Sequence, residues 1–475
     1  MLKKLIVLIS LIALLWSPTA FAAEDKALTN ATTLGEIFGY ISNYHLHKPD
    51  IDQLTNSAIK GMLDQLGDPY TVYFSPGELD KFSGELNGDF EGIGAELEIR
   101  EHLPYVVRVF NGSPAEQAGL RSGDVILSID NNSTQGKTLT QVVEQLRGKK
   151  GTKVRIMVKR VGQPDFPLEI TRNTIDLPTV TDNILEGQVG YIAVDSFGLE
   201  TGEEFGNALI KLKEEGIKYL IIDLRYNGGG YVDAALEIAG YLLGKDKIVL
   251  LTEDREKYSD SYATELDALI APLPMVVLVN DQSASAAEIL AGALQDYGRA
   301  TLVGTNTYGK GTVQDILPLG NGGALKMTTA YYLTPKGRRI DGQGLQPDRY
   351  IATPELQILA AKQILLQEKP VITFTAEKTI STAGETLSLP VGYHKENDQF
   401  FVPLRLTLEA LGYEVKWDEQ TGNIEVKDKN NTWQLTNHSL VNGSSKLMTQ
   451  PLRRINGYTY ISTEDLQLLG IEVVI

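Results

Sequence analysis

The chain contains no cysteine, so disulfide bonds, thiol nucleophiles and thiolate metal sites are excluded. Basic residues are fewer than acidic ones, so the 475 residues carry a net charge of −17. This charge argues against nucleic acid as a partner. Histidine is scarce and none lies between residues 173 and 365. A histidine base is therefore excluded from the middle of the chain.

Long hydrophobic runs are missing except near the N-terminus, where Leu5–Trp16 follows two lysines and precedes the small residues of Ala20–Ala22. This three-part pattern predicts a signal peptide over residues 1–22, cleaved after Ala22 or Ala23. The apolar run is too short to span a membrane. We expect an extracytoplasmic protein, secreted or associated with the cell envelope, that contacts the membrane only if this segment is uncleaved.

The rest of the sequence changes character three times and predicts a multidomain α/β fold. Residues 24–87 show helical spacing of apolar residues and predict a helical N-terminal arm with a surface for a homodimer. Residues 88–172 predict short strands and glycine turns. Strands and helices alternate from 185 to 365, which predicts an α/β core within a domain of residues 173–368. Residues 371–475 hold a weak strand–helix–strand repeat and predict a small α+β domain.

Three glycine- or serine-rich turns follow strands of the α/β core, which is the usual place for a site in such folds. They are Asn227–Gly230, Gln282–Ala287 and Gly304–Gln314. The last turn, "GTNTYGKG", has the glycine and lysine spacing of a phosphate-binding P-loop. However, Gly311 stands where that motif places the Ser or Thr that reaches Mg²⁺. Nucleotide binding is therefore an unfavoured alternative.

The stretch "SASAAEILAGAL" has two interpretations. Ser285 and Glu288 have the spacing of a capping box. Alternatively, a serine at a helix N-terminus is a nucleophile, because the free N–H groups and the helix dipole there stabilise an oxyanion. With no histidine and no G-x-S-x-G elbow, Lys310 is the candidate base, since burial can lower the pKa of a lysine by ~3–5 units. The residues alone do not choose between Ser283 and Ser285.

"SASAAEILAGALQDYGRATLVGTNTYGKGTVQ" closely resembles the C-terminal processing peptidases, also called tail-specific proteases. "DLRYNGGG" and "TPKGRRIDGQGLQPD" match further segments of that family, and the likeness covers residues 30 to 365. The resemblance implies a serine protease core with a crotonase-like or ClpP-like αβ fold. It also implies that Ser285 is the nucleophile, that Lys310 is the base and that Gln314 orients the lysine.

The same resemblance implies an oxyanion hole formed by the N–H of Ala286 and by a glycine of the "YNGGG" turn. Either Gly229 or Gly230 fits that role, and we name Gly229. Gly228 replaces the proline common in the family, and Ala287 replaces its usual serine. Neither departure touches a triad position.

"SPAEQAGLRSGDVILSIDN" resembles a PDZ domain, and its Gly92, Ile93 and Gly94 stand where that family captures the terminal carboxylate of a peptide. Arg147 resembles a position that links peptide occupancy to activation, and it is equally well explained as a solvated charge beside a turn. Residues 371–475 resemble the stalk domains named after copper amine oxidase N-termini. Their histidines, His394 and His438, lack metal-ligand spacing, so we predict no metal.

Together these patterns predict a secreted serine endopeptidase that cleaves unfolded or partly folded proteins near their C-termini and needs no cofactor. The PDZ domain would capture the substrate tail and gate activity. The alternative is a non-catalytic PDZ scaffold that binds peptides.

Overall fold

The computed structural model describes residues 18–474 except 87–89, 111, 176–177, 368–371, 375–377, 383–384, 429–430, 443 and 472. The predicted signal segment therefore lies outside the described residues, apart from its last few positions, which begin the first helix. Within this described part, no helix combines the length and the apolar character needed to cross a membrane.

The N-terminal arm begins with two helices and then joins a sheet. Helices α1 (Pro18–Tyr44) and α2 (Ile51–Asp64) are followed by strand β1 (Val72–Phe74) and helix α3 (Glu78–Leu86). The helical prediction is confirmed for the three helices and is wrong at β1. This short strand is stabilised by antiparallel pairing with residues 324–326, far along the chain, so its local sequence does not reveal it.

The next region is an antiparallel β-domain with its own apolar core, as its short strands and glycine turns predicted. Its main sheet has the order β3-β4-β5-β7-β8, β6 pairs with β5, and β2 pairs with β9. The elements are β2 (Phe90–Gly92), β3 (Ala95–Arg100), β4 (Leu103–Val109), α4 (Pro114–Gln117), β5 (Val125–Ile129), β6 (Asn132–Ser133), α5 (Leu139–Leu146), β7 (Lys153–Lys159), β8 (Phe166–Thr171) and β9 (Asn173–Ile175).

The α/β core is built on a six-stranded sheet of order β10-β11-β12-β15-β16-β19, which is parallel from β11 onwards. Helices α6, α7 and α8 pack on one face and α9 packs on the other. The elements up to α8 are β10 (Val180–Leu185), β11 (Val189–Val194), α6 (Thr201–Glu214), β12 (Tyr219–Asp223), α7 (Val232–Leu243), β13 (Ile248–Asp254), β14 (Ser259–Ala263), β15 (Met275–Val279) and α8 (Ala286–Asp296).

A second sheet, of order β1-β18-β13-β14 with β17 on the other edge of β18, joins the arm to the core. The predicted hairpin is confirmed as β17 and β18, with its turn at Asn321–Gly323. The remaining core elements are β16 (Thr301–Gly304), β17 (Thr312–Pro318), β18 (Ala324–Leu333), β19 (Arg349–Tyr350) and α9 (Pro354–Leu366).

The C-terminal domain packs on α9 and shares an apolar cluster with the back of the core sheet. Its predicted repeat is confirmed as β24-α10-β25 and β31-α11-β32, and β24 pairs with β31. The elements are β20 (Ile372–Phe374), β21 (Thr379–Thr382), β22 (Glu385–Ser388), β23 (His394–Glu396), β24 (Gln399–Pro403), α10 (Leu404–Ala410), β25 (Glu414–Trp417), β26 (Ile424–Lys427), β27 (Thr432–Leu435), β28 (Ser439–Asn442), β29 (Ser444–Leu447), β30 (Arg453–Ile455), β31 (Tyr458–Ser462), α11 (Thr463–Leu466), a 3-10 turn (Gln467–Leu469) and β32 (Val473–Val474).

Candidate active site

Ser285 lies at the turn between the buried strand β15 and helix α8. Its backbone has φ 56° and ψ −118°, an unusual conformation for a residue other than glycine. Strain of this kind costs of order 1–3 kcal/mol and is found mainly at functional sites, including strand-to-helix turns that present a nucleophile. The turn leaves Ser285 partly exposed at the N-terminus of the helix.

Ser283, the other candidate, is fully buried and its hydroxyl is already in use. The hydroxyl donates to the carbonyl of Leu224 at 2.7 Å and accepts the N–H of Asn280 at 2.9 Å. Ser283 thus holds the ends of β12 and β15 together. Of the two serines, Ser285 is the one that a substrate can reach.

The buried carboxylate of Glu288 joins the serine turn to the lysine loop. Its Oε2 accepts the N–H of Ser285 and the N–H of Lys310, both at 3.0 Å. Its Oε1 accepts the N–H of Gly309 at 2.8 Å and the hydroxyl of Thr307 at 2.5 Å. The sequence indicated Glu288 only as a capping residue, whereas the structure shows that it also fixes the loop that carries the candidate base.

Burial raises the pKa of Glu288, while the hydrogen bonds from Thr307, Gly309, Ser285 and Lys310 act to lower it. The hydroxyl of Tyr332 lies 3.4 Å from Oε2 and donates to the carbonyl of Ser285 at 3.2 Å. Burial and the nearby Glu288 raise the pKa of Tyr332 far above its usual range. Tyr332 therefore stays protonated and acts as a donor at the back of the turn.

Lys310 follows Gly309 in a loop whose glycines are in close contact with another backbone segment. A Cβ at position 309 would lie 2.8 Å from the nitrogen of Gly344, and one at Gly311 would lie 2.2 Å from the nitrogen of Asp341. Only glycine fits such close approaches. The backbone on both sides of the lysine is consequently packed against residues 341–344, and the lysine side chain is half-buried.

The pKa of Lys310 is lowered, first by burial and then by the like charge of Lys326, while Glu288 and Asp68 oppose the shift. The amine lies 5.0 Å from the centroid of the Tyr70 ring. A lowered pKa is what a lysine needs to accept a proton near neutral pH.

Gln314 lies four residues further on, in strand β17, but its amide nitrogen donates to the carbonyl and the hydroxyl of Thr312, at 3.0 Å and 2.8 Å. Within the described part of the chain, the amine of Lys310 forms no hydrogen bond with Ser285 or Gln314. The structure thus brings the three predicted catalytic residues into one region without their mutual hydrogen bonds.

The glycine-rich turn after β12 lies directly against Ser285. A Cβ at Gly229 would lie 2.7 Å from the Cβ of Ser285 and 3.0 Å from the nitrogen of Ala286, and Gly229 has φ +98°. The N–H of Gly229 donates to Asn227 Oδ1 at 2.8 Å, so it is engaged in this conformation. Among the described residues, the N–H groups of Ala286 and Gly230 have no hydrogen-bond partner.

The P-loop-like segment cannot serve a nucleotide in this structure. The N–H groups that a phosphate would need, those of Gly309 and Lys310, already bind Glu288, and the N–H of Tyr308 donates to the carbonyl of Ser283 at 3.0 Å. The lysine is also followed by strand β17 instead of a helix.

In the described residues, no group of three or more His, Asp or Glu side chains is placed to hold a metal ion.

The predicted peptide-binding residues lie at the start of the β-domain. Gly92 ends β2, Ile93 is buried in the domain core, and Gly94 has φ +78°. Within the described residues, the N–H groups of Ile93 and Gly94 have no hydrogen-bond partner, which leaves them available to a carboxylate. Arg147 is the exposed residue that caps the C-terminus of α5.

Four residues of this region were not predicted as parts of the site: Tyr70, Thr307, Lys326 and Tyr332. Thr307 stands three residues before the lysine in the glycine-rich loop, so the motif itself offered a signal. Tyr70, Lys326 and Tyr332 come from distant segments of the chain. Lys326 and Tyr332 lie in β18 of the predicted hairpin, whereas Tyr70 reaches the lysine because β1 pairs with β18, a pairing that the sequence does not reveal.

Comparison with protein families finds four matches along the chain. Residues 18–76 match the activating protease CtpB N-terminal domain, 105–160 match the PDZ domain, 188–351 match peptidase family S41, and 382–474 match the copper amine oxidase N-terminal domain. A probable CtpA-like serine protease of Staphylococcus epidermidis is 32% identical over 447 residues, which cover 94% of this chain and 85% of the relative.

The chain belongs to peptidase family S41, with the CtpA-like serine proteases. It is a serine-type C-terminal processing peptidase with a PDZ domain. This family membership favours the prediction of an enzyme over that of a non-catalytic scaffold. A relative of the same description from Staphylococcus aureus is 34% identical, covering 84% of this chain and 78% of its own length. A photosystem II D1 C-terminal processing protease is similar in structure, with 30% identity, coverage of 67% and 86% and a TM-score of 0.43.

We predict that Ser283→Ala mainly lowers the stability of the protein and that Ser285→Ala mainly lowers its activity. The first variant loses the hydrogen bonds that join β12 to β15 and should destabilise the protease by about 1–3 kcal/mol while leaving measurable activity. The second should be as stable as the wild type and inactive. Chemical denaturation and cleavage of β-casein, an unfolded protein, measure both effects. An inactive Ser283→Ala variant of wild-type stability would contradict this assignment.

We also predict that Glu288→Gln impairs the protease. The amide places an NH₂ group against backbone donors, so we expect at least a tenfold loss of kcat/KM and a stability loss of about 1–3 kcal/mol. Glu237→Gln, which changes a carboxylate of helix α7 that accepts a hydrogen bond from Tyr241, is the matched control and should keep its activity. Equal activity in the two variants would show that the shared carboxylate is dispensable.

Proposed function

We propose that this protease is an extracytoplasmic endopeptidase in which Ser285 attacks a peptide carbonyl near the C-terminus of an unfolded or partly folded protein. Lys310 accepts the serine proton and passes it to the nitrogen of the leaving amine as the C–N bond breaks. The neutral lysine then takes a proton from the water that attacks the acyl-enzyme, and that proton returns to Ser285 as the acyl bond breaks. The observation that carries this proposal is the sharing of one carboxylate oxygen of Glu288 by the N–H groups of Ser285 and Lys310.

The oxyanion of the tetrahedral intermediate needs two donors close to the serine. Ala286 supplies one, because its N–H lies at the first turn of α8 and has no partner within the described residues. Gly229 is close enough to supply the other once its N–H leaves Asn227, and Gly230 is the alternative. One such donor is worth roughly 3–4 kcal/mol of barrier.

Gln314 would orient the lysine after a change of rotamer. Its cross-strand partner in β18 is Thr328, whose buried hydroxyl oxygen has no hydrogen-bond partner in the described part of the chain. If the amide nitrogen of Gln314 turned to that hydroxyl, its carbonyl oxygen would be free to accept from Lys310. Catalytic hydrogen bonds that are long or absent without substrate commonly tighten in the complex.

The PDZ domain would hold the substrate tail. The unpartnered N–H groups of Ile93 and Gly94 suit a terminal carboxylate, and the edge of β3 suits the extended backbone that precedes it. Arg147 caps the helix that borders this groove and is proposed to contribute to peptide binding or its coupling to activity.

Three further features of this proposal concern the setting of the enzyme. The signal-like segment supports export. Exposed apolar side chains of helices α1 and α2, including Leu28, Leu34 and Tyr40, support a homodimer contact through the arm. The domain boundaries are proposed as 24–87, 88–172, 173–368 and 371–475.

We expect Ser285→Ala and Lys310→Arg to leave the fold intact and to abolish cleavage of β-casein, because a guanidinium does not deprotonate at neutral pH. Mass spectrometry of the fragments measures the effect and shows where the wild type cuts. The wild-type fragments should arise first near the C-terminus. An active Lys310→Arg enzyme would refute the base assignment.

Tail capture predicts a dependence on the terminal carboxylate of the substrate. Two peptides of the same disordered sequence, one with a free carboxylate and one amidated, should differ by at least tenfold in KM, because the amide loses its charge-assisted hydrogen bonds. Equal KM values would refute capture by the PDZ nest while leaving the Ser285 chemistry unaffected.

A further inference from the structure

The N-terminal arm reaches the candidate base through its last segment. Strand β1 pairs with β18 on the edge opposite to β17, and Val72 lies across from Lys326. Strand β17 begins two residues after Lys310. The residues just before β1 are thereby brought beside the lysine, although more than 230 positions of sequence separate them.

Tyr70 is held in place by hydrogen bonds on both sides. Asp68 accepts the N–H of Tyr70 at 2.9 Å and the hydroxyl of Thr71 at 2.6 Å, and the Thr71 oxygen accepts the N–H of Thr328 at 3.1 Å. Burial acts to raise the pKa of Asp68, but the hydrogen bonds that its carboxylate accepts lower this pKa overall. Asp68 therefore stays ionised and keeps the turn closed. These bonds fix the backbone of Tyr70, from which the ring extends to the lysine amine.

The ring has two opposite effects on the amine of Lys310, whose nitrogen lies 5.0 Å from the ring centroid. Its π face attracts the ammonium form, by about 0.5–2 kcal/mol. Its bulk also excludes water, which favours the neutral amine, and burial is the largest cause of the lowered lysine pKa. Loss of the ring would raise the lysine pKa through water access and lower it through the lost π face, so the Tyr70→Ala variant measures which effect is larger.

Tyr70 cannot take over the role of the base. Burial and the adjacent Tyr308 raise the pKa of Tyr70 to about 12, and Asp341 and Asp68 act in the same direction. The phenol is therefore neutral at every pH at which the enzyme would work. Its contribution to Lys310 comes from the ring.

We propose that Tyr70 is a positioning residue of the active site, supplied by the N-terminal arm, which covers the amine of Lys310 and keeps water from it. This inference rests on the proposed role of Lys310 as the base. It adds that the catalytic unit is incomplete without residues 68–74, because the ring that lies against the lysine amine comes from this segment.

The test is the pH dependence of kcat/KM with fluorescein-labelled β-casein. Activity should rise with pH as Lys310 loses its proton. Tyr70→Ala lets water reach the amine, so the acidic limb should move to higher pH by about one unit, with roughly a tenfold loss of kcat/KM at neutral pH. Tyr70→Phe keeps the ring and should keep the wild-type profile. Tyr70→Leu keeps an apolar cover without a π face, so its limb should not move to higher pH.

Tyr73→Ala is the matched control in the same segment, because the Tyr73 hydroxyl bonds Asn321 at the hairpin turn. It should keep the position of the acidic limb. Lys326→Gln identifies the titrating group. The limb should move to higher pH when this like charge is removed, and it would vanish if it belonged to Lys326 itself.

Thermal unfolding of each variant distinguishes a structural role from the proposed one. An unchanged acidic limb in Tyr70→Ala, with activity either intact or reduced equally at every pH, would overturn the inference about Tyr70. If Tyr70→Ala does not fold, Tyr70→Gln replaces it, because a polar side chain beside the amine no longer excludes water. An acidic limb at the wild-type pH in Tyr70→Gln would overturn the inference, and so would an upward shift in Tyr70→Leu that Tyr70→Phe does not show. Activity in Lys310→Ala would instead overturn the proposed function, so the two failures are distinguishable.

Discussion

The geometry of the active site depends on one buried carboxylate. Glu288 accepts hydrogen bonds from the serine turn and from the lysine loop, and both segments lose their common anchor without it. Burying a carboxylate is costly, and only several good donors can compensate. Here the donors are backbone N–H groups and one threonine hydroxyl, so the compensation itself fixes the path of both loops. The sequence places this acidic residue one helical turn after Ser285, where the helix dipole also favours negative charge.

This arrangement separates a rigid backbone from adjustable side chains. The N–H groups of Ser285 and Lys310 are tied to one oxygen, whereas the lysine amine and the Gln314 amide are not bonded to each other in the described structure. The N–H of Gly229 is adjustable in the same way, because a change in the "YNGGG" turn would break its hydrogen bond to Asn227. The energy needed for such changes is that of a few hydrogen bonds, about 0.5–1.5 kcal/mol each. Substrate binding can supply this energy without rebuilding either loop.

Much of the fold followed from patterns local in the sequence. The alternation of strands and helices predicted the core sheet, the Asn-Gly-Gly turn predicted the β17–β18 hairpin, and the repeated strand–helix–strand pattern predicted the C-terminal domain. Strand β1 was missed because three residues carry no periodicity and its partner is far away. The choice between the two serines also needed the structure, since spacing cannot show that the Ser283 hydroxyl is buried against the Leu224 carbonyl. The link from Glu288 to the lysine loop could not be predicted either. A capping box predicts the hydrogen bond of Glu288 with Ser285, but it does not predict those with Gly309 and Lys310.

The position of β1 has a consequence for how the domains depend on one another. A lysine base needs a dry environment, and a loop at the edge of an α/β core cannot provide one by itself, because such loops face solvent. The second sheet solves this problem by bringing the arm across β18 and over the amine. Any force that moves helices α1 and α2, such as dimerisation through their exposed apolar faces, would act on the strand that follows them. Water access to Lys310 would then change with the docking of the arm, and the arm would influence catalysis without contacting the substrate.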